Sequence, residues 1–291
     1  MNEDWRGWTK LNLERGCAPE EVNNILTDNG FSPYDIQAAM GDKYPGVKKK
    51  FSQNLSSRLN KNKKKGKFNH SQNLRAADYK KLTKVKALSH SKAIVLDDDR
   101  IQLLSIPDFL SESECAILTE HIDSKLRPST ITAGADHSLF RTSSTCDLGL
   151  LEHPLIKDVD LKIAKTLGMQ LGWSETIQGQ KYDVSQEFKA HTDYFEPNSK
   201  EFETYAAKMG QRTWTFMVYL NSTPKGGETH FTEIDEVFTP QRGTAVIWNN
   251  LFADGKPNRA TMHHGCPVHE GEKYIITKWF RDKGQGPMLF K

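Results

Sequence analysis

The chain has 291 residues, a formal net charge of +3, 36% hydrophobic residues and 26% charged residues. This composition is typical of a soluble globular protein, and no stretch reaches the roughly 18 apolar residues that a transmembrane helix needs. The first five residues also lack the basic and apolar regions of a signal peptide. We therefore expect a cytoplasmic protein with no membrane partner.

Residues 1–42 are predicted to form a small helical unit. Pro19 and the two acids that follow it are typical of the first turn of a helix. A second apolar pattern with helical spacing begins at Pro33 and ends at Gly41. A unit of this size would be only marginally stable alone, because it buries little apolar surface.

Residues 43–93 are predicted to be a basic linker or extension. Between Lys43 and Lys92 there are sixteen lysines and arginines but only one acid, Asp78. Low apolar content and a block of like charge favour a segment without a core of its own. The segment is either a solvated tether or a docking element for nucleic acid or another acidic partner, and the sequence favours neither.

Residues 94–291 have the pattern of a packed domain. Ser111 is a candidate helix N-cap, and residues 153–167 carry the apolar spacing of another helix. The pattern then changes to the two-residue period of strands, at residues 175–184, 187–195, 213–221, 229–231, 244–248 and 273–280. We predict an α+β, mainly β fold, with a double-stranded β-helix (jelly-roll) core, supporting helices and a small N-terminal helical region.

The predicted strand at 187–195 carries His191 and Asp193 two positions apart, so both side chains should project from one face. Two imidazoles and one carboxylate are the ligand set of non-haem Fe(II) oxygenases, and His263 or His264 would supply the third ligand. Lys273 shares its predicted strand face with apolar residues. A buried lysine needs an anionic partner, which an oxo-acid with a distal carboxylate would supply; alternatively, Lys273 points outward from an edge strand.

Several segments together resemble the catalytic domain of prolyl 4-hydroxylases, which are Fe(II)- and 2-oxoglutarate-dependent dioxygenases. The segments are His191-Thr-Asp193, Gly226-Gly-Glu-Thr229, His263-His-Gly-Cys-Pro-Val268 and Gly271-Glu-Lys273-Tyr-Ile-Ile-Thr-Lys-Trp279. The resemblance covers about residues 100–282. It implies that His191, Asp193 and His263 hold Fe(II) and that Lys273 binds the distal carboxylate of 2-oxoglutarate. It also implies O2 as the oxidant, with ascorbate as a candidate reductant.

The same resemblance places Tyr182 at the cosubstrate pocket and Arg141, Arg212 and Trp279 at the substrate. The function it implies is hydroxylation of prolyl residues in a protein or peptide, with succinate and CO2 as products. The alternatives are a related oxygenase that acts on another residue, a free amino acid or nucleic acid, and a binding adaptor with a vestigial site.

Three features of the sequence depart from the family pattern. Ser185 stands where the family usually has glycine, and Tyr274 stands where it usually has tryptophan. Residues 196–210 form an insertion-like charged run directly after the metal motif, which we expect to form part of the substrate rim. These departures concern the substrate, since they remove none of the residues implied to hold iron.

Overall fold

The computed structural model of the chain describes residues 5–6, 9–10, 13, 19–28, 31–45, 72–129, 140–149 and 153–290. The chain divides into two compact units, Met1–Gly66 and Lys67–Lys291. Within the described ranges, no helix has both the length and the apolar character needed to cross a membrane.

The first unit contains the two helices that the sequence predicts, α1 (Pro19–Asp28) and α2 (Pro33–Met40), followed by a 3-10 turn at Gly41–Lys43. Ser32 caps α2 because its Oγ accepts a hydrogen bond from the backbone N–H of Asp35 at 3.2 Å. The two helices bury their apolar stripes in one small cluster, which includes Val22, Leu26, Ile36 and Met40.

The second unit contains four helices and sixteen strands among its described residues. The helices are α3 (Ala76–Leu82), α4 (Glu112–Asp123), α5 (Pro154–Leu167) and α6 (Ala207–Met209), with a π-helical turn at Phe202–Ala206 and 3-10 turns at Lys86–Ser89, Leu171–Trp173 and Arg259–Thr261. The strands are β1 (Gln72–Asn73), β2 (Ile94–Val95), β3 (Leu103–Ile106), β4 (Arg127–Pro128), β5 (Ser144–Leu148), β6 (Ile177–Tyr182), β7 (Phe188–His191), β8 (Arg212–Tyr219), β9 (Lys225–Gly226), β10 (Thr229–Phe231), β11 (Glu236–Phe238), β12 (Ala245–Asn249), β13 (His263–Gly265), β14 (Val268–Glu270), β15 (Lys273–Arg281) and β16 (Lys283–Gly284).

Two antiparallel sheets form the body of this unit. The larger has the order β2-β3-β12-β8-β15-β6-β5-β4, and the smaller has the order β11-β10-β13-β7. Side chains from both sheets share one apolar cluster, in which Met217 and Tyr219 of the large sheet join Phe231 of the small one. This is the double-sheet arrangement that the strand pattern predicts, so the expected jelly-roll core is confirmed.

The other face of the large sheet is covered by α4 and α5. Phe216 and Val218 alternate along β8 with the residues that face the small sheet, and they pack into a second cluster with Leu118 of α4 and Ile163 of α5. Because both faces of the large sheet are covered, β8, β12 and β15 are buried along almost their whole length. The helices therefore support the sheet from behind and leave its front face to the site.

The packed unit begins before residue 94, where the sequence analysis placed its start. Leu82, Val85 and Ala87 are buried in the main cluster, and the indole Nε1–H of Trp214 donates to the carbonyl of Leu82 at 3.0 Å. The strand β1 also pairs with β16 near the other end of the chain. These few apolar residues are enough because they dock on an existing core and need not form one. The remainder of the predicted basic linker, residues 46–71, lies outside the described residues.

Candidate functional site

The three residues implied to bind iron lie together between the sheets. His191 ends β7 and stands directly opposite His263 of β13 in the antiparallel register. Asp193 lies two residues beyond the end of β7. The observed strand is therefore shorter than the predicted strand 187–195. One ligand atom from each of the three residues lies within 4.8 Å of the others. This is a two-histidine, one-carboxylate set, which fits Fe(II).

Backbone carbonyls hold both imidazoles with one nitrogen directed at the centre of the group. The Nδ1 of His191 hydrogen-bonds the carbonyl of Lys189 at 2.7 Å, and the Nδ1 of His263 hydrogen-bonds the carbonyl of Thr261 at 2.9 Å. When Nδ1 carries the proton, Nε2 has a free lone pair for a metal ion. The ring of Phe188 stacks on His191 at 3.5 Å between centroids and fixes its plane.

A chain of hydrogen bonds orients the carboxylate of Asp193. The hydroxyl of Thr215 donates to Asp193 Oδ2 at 2.7 Å, the amide of Asn250 donates to Thr215 Oγ1 at 2.8 Å, and the indole of Trp248 donates to Asn250 Oδ1 at 3.1 Å. These bonds occupy Oδ2 and leave Oδ1 on the side of His191, 3.9 Å from its Nε2. Such partners of the ligands keep a metal site in shape. Sequence reasoning missed Thr215 and Asn250, since nothing local to either residue signals this role.

The protonation states of His191 and Asp193 also suit a cation. Burial and the neighbouring His263 lower the pKa of His191 well below its usual value, so the imidazole is neutral at physiological pH. Burial alone would raise the pKa of Asp193, but attraction to the two histidines and Arg212 and the hydrogen bond from Thr215 lower it, so the carboxylate is ionised. Neutral imidazoles and an ionised carboxylate are the forms that bind a metal.

The rival third ligand, His264, is directed elsewhere. Its Nε2 lies 2.8 Å from Glu187 Oε2, and it is not a member of the three-residue group. Because neighbouring residues in a strand point to opposite faces, only one of His263 and His264 can face the site. The structure places His263 there.

Lys273 is buried at the start of β15, with its side chain in the same cleft. The strand is central, between β8 and β6, so the alternative of an outward-pointing edge lysine is wrong. The Nζ lies 5.0 Å from the ring centre of Tyr182 and 5.7 Å from that of Tyr219, and no carboxylate among the described residues is within ion-pair distance. Burial lowers the pKa of Lys273 to about 8. A buried ammonium group of this kind is suited to an anionic ligand.

Tyr182 and Arg141 are connected through two glutamines of β6. The hydroxyl of Tyr182 donates to Gln180 Oε1 at 2.8 Å, the amide of Gln180 donates to Gln178 Oε1 at 3.3 Å, and Arg141 Nη2 donates to the same Gln178 oxygen at 3.0 Å. The guanidinium of Arg141 also lies over the ring of Phe188 at 4.7 Å. The predicted cosubstrate residue and one predicted substrate residue therefore share a single polar wall.

Arg212 and Trp279 form another part of the cleft lining. The guanidinium of Arg212 donates to both carboxylate oxygens of Glu175, at 2.7 and 2.9 Å, and stacks on Trp279 at 3.8 Å from the ring centre. Arg281 donates to the same carboxylate at 2.7 Å. Glu175 is a residue that the sequence analysis did not select. Its two arginine partners lower the pKa of Glu175 although burial opposes this. The carboxylate is therefore ionised, and its ion pair with Arg212 fixes that guanidinium in the cleft wall.

One cleft of about 680 Å³ contains all eight residues that the sequence analysis selected. They are Arg141, Tyr182, His191, Asp193, Arg212, His263, Lys273 and Trp279. The run 196–210 also contributes to its rim, as the sequence predicts. The roles of the individual residues toward cosubstrate and substrate stay predictions, whereas their convergence on one cleft is a property of the structure.

Comparison with known proteins gives the same assignment. Residues 177–281 match the 2OG-Fe(II) oxygenase superfamily. Subunit alpha-1 of human prolyl 4-hydroxylase is 30% identical over 195 residues, which are 64% of this chain and 36% of that subunit. Subunit alpha-3 of the human enzyme is 30% identical over 182 residues, 61% of this chain and 33% of that subunit. The chain therefore aligns with about a third of the length of these relatives.

A solved structure supports the fold assignment. The viral collagen prolyl hydroxylase of Paramecium Bursaria Chlorella virus-1, in its 2OG complex, is 26% identical with a TM-score of 0.50, and the match covers 62% of this chain and 95% of that one. The family match, the shared fold and the His-Asp-His group agree with one another. Residues 177–281 therefore match the 2OG-Fe(II) oxygenase superfamily, and the chain is similar to the prolyl 4-hydroxylases of that superfamily.

Proposed function

We propose that this protein is a 2-oxoglutarate-dependent dioxygenase that hydroxylates prolyl residues in a protein or peptide. The observation that carries the proposal is the intact group of His191, Asp193 and His263 in one cleft with the buried Lys273. A vestigial site would not be expected to keep the partners that orient each ligand. The adaptor alternative is therefore disfavoured.

Each part of the cleft has a task in this reaction. Fe(II) with 2-oxoglutarate and O2 supplies the chemistry that hydroxylates an unactivated C–H bond and releases succinate and CO2. His191, Asp193 and His263 hold the metal, and Lys273 pairs with the distal carboxylate of the cosubstrate. The cleft walls then hold one C–H bond of the substrate at the metal and exclude water.

The proline assignment is supported by the named activities of the relatives, which are prolyl 4-hydroxylases and a collagen prolyl hydroxylase. The cleft has a volume of about 680 Å³, and Trp279 adds an aromatic ring to the same lining as the metal group. Nucleic acid as a substrate has only the basic segment in its favour. It stays the second candidate.

The test is succinate formation from 2-oxoglutarate with Fe(II) and O2, with and without proline-containing peptides. We expect peptide-stimulated turnover and a mass gain of one oxygen on proline. We expect His263→Ala to abolish turnover, because a metal ligand is lost, and the adjacent His264→Ala to retain it. Turnover without peptide stimulation would contradict the proline assignment, and equal loss in the two variants would contradict the ligand assignment.

A further inference from the structure

We propose that residues 196–209 form an acidic wall of the cleft that selects a substrate with a basic side chain close to the target proline. The groups of this acidic wall that would contact the substrate are Glu196, Glu201 and Tyr205. The inference rests on the proposed function, since it presupposes that a peptide occupies the cleft. It adds the charge of the substrate, which the family assignment does not specify.

The segment presents its acids and not its lysines to the cleft. Glu196, Glu201, Tyr205 and Met209 line the cleft, whereas Lys200 and Lys208 do not. The wall therefore offers carboxylates, an aromatic ring and a thioether to anything that enters. The third acid of the segment, Glu203, is exposed and does not line the cleft.

The wall is held in place by bonds to the sheet behind it. The backbone carbonyl of Tyr205 accepts a hydrogen bond from Arg281 at 2.5 Å. At the start of the segment, the side chain of Gln211 bonds both the N–H of Phe195 at 2.8 Å and its carbonyl at 2.6 Å. Tyr205 itself lies in a π-helical turn, a rare conformation that is frequent at functional sites. Because both ends of the segment are bonded to the sheet, its side chains stay in place when a poorly matched substrate enters. The wall can therefore discriminate between substrates.

The cleft contains both signs of charge, but the carboxylates of this wall are not paired with its cations. Neither Glu196 nor Glu201 forms an ion pair with any residue in the described ranges. The nearby arginines of the same side, Arg212 and Arg281, both bind Glu175 at 2.7 Å. Unpaired carboxylates at one wall attract a cationic group of the ligand to that wall.

The aromatic ring makes a basic side chain a better fit than a small cation. Tyr205 is 44% exposed, and its ring stacks on Phe195 with centroids 5.9 Å apart. The aliphatic stem of a lysine or arginine can cover this ring while its charged end reaches a carboxylate, and the ring face also attracts the cation. An acidic side chain at the same place would meet like charge.

The experiment uses the full chain and peptides that contain one central proline. Lys, Gln or Glu is placed in turn at each of the four positions on either side, and kcat/KM is measured from succinate formation. At one or two positions we expect Lys to exceed Glu by about threefold to tenfold, the range of partly screened ion pairs. The preference should decrease as salt is raised.

Variants then locate the preference. Glu196→Gln and Glu201→Gln should each reduce it, and Glu201→Lys should reverse it in favour of the Glu peptide, a result that a merely structural role would not give. Glu203→Gln is the matched control, since it removes the same charge from the same turn outside the cleft, and it should leave the preference unchanged.

Two failures can be told apart. If no peptide stimulates turnover, the proposed function is contradicted and this inference with it. If peptides are hydroxylated regardless of flanking charge, or if Glu203→Gln acts like Glu201→Gln, the inference alone is overturned.

Discussion

Lys273 combines full burial with a pKa lowered to about 8, because the ammonium group has lost its hydration and has no carboxylate partner. The protonated form, which an anionic cosubstrate needs, therefore predominates only below about pH 8 in the free protein. Binding of a carboxylate raises the pKa, so binding takes up a proton at higher pH. We predict that the Kd for 2-oxoglutarate of the Mn(II)-loaded protein is constant below pH 8 and rises about tenfold per pH unit above it, measured by calorimetric titration.

The control for this pH dependence is Lys273→Arg. A guanidinium stays charged throughout the range, so this variant should bind more weakly at neutral pH, for reasons of shape, but with a Kd that does not change between about pH 7 and pH 10. An unchanged Kd for the native chain over the same range would contradict the assigned role of Lys273. A pH dependence that persists in Lys273→Arg would assign it to another group.

The site residues that could be predicted were those whose own place in the sequence pattern indicates a role. The spacing of His191 and Asp193 and the place of Lys273 among apolar residues made them candidates, and the resemblance to prolyl 4-hydroxylases implied their roles. Thr215 and Glu175 could not be predicted, because they act through partners far away in the sequence: Thr215 bonds Asp193, and Glu175 bonds Arg212. Only the fold brings such pairs together.

Among the elements, α4 shows how a local signal determines a boundary. The Oγ of Ser111 accepts from the N–H of Glu114 at 3.2 Å, and Glu114 accepts from the N–H of Ser111 at 2.7 Å, which is a capping box. We predict that Ser111→Ala lowers the free energy of unfolding by about 1 kcal/mol, because an N–H of the first turn loses its acceptor. Urea unfolding followed by tryptophan fluorescence measures the change.

Ser113→Ala is the matched control, because Ser113 lies two residues further on in the first turn and, among the described residues, its Oγ contacts only Ser111 Oγ, at 3.1 Å. We expect this variant to change stability by less than about 0.5 kcal/mol. Equal losses in the two variants would show that the capping bond is not the source of the stabilisation.

Element boundaries were less predictable where the spacing of apolar residues stops following a helical or strand period. The strand β10 was predicted at its observed bounds, and α5 was predicted one residue early because His153 is its N-cap. The predicted strand 187–195 continues in the structure only to His191, since Asp193 turns toward the metal group. The run 196–210 has helical spacing, but the spacing did not predict the π-helical turn at Phe202–Ala206, in which the carbonyl of Tyr205 accepts a hydrogen bond from Arg281 of another strand.

At the scale of the whole molecule, composition misplaced the start of the catalytic unit. Residues 72–93 read as part of a charged extension because they carry five lysines and one arginine but only one acid. Three small and medium apolar side chains, Leu82, Val85 and Ala87, are nevertheless buried, and Tyr79 donates to Asp282 at 2.8 Å. A segment that docks on a neighbouring core needs few apolar residues, so average composition does not reveal it.

This packing predicts how shortened chains behave. The chain 67–291 should fold and unfold cooperatively, because its core is complete, whereas 94–291 should lose most of its stability. Removal of Leu82 and Val85 exposes apolar surface worth about 1.5–3 kcal/mol for each residue, and the buried N–H of Trp214 loses its acceptor at a cost of about 1–3 kcal/mol. These losses are large beside a typical total free energy of unfolding of about 5–15 kcal/mol.

Urea unfolding compares the two chains, with Leu82→Ala in the full chain as a point control expected to cost about 2–5 kcal/mol. Equal midpoints for 67–291 and 94–291 would show that residues 72–93 do not support the catalytic unit.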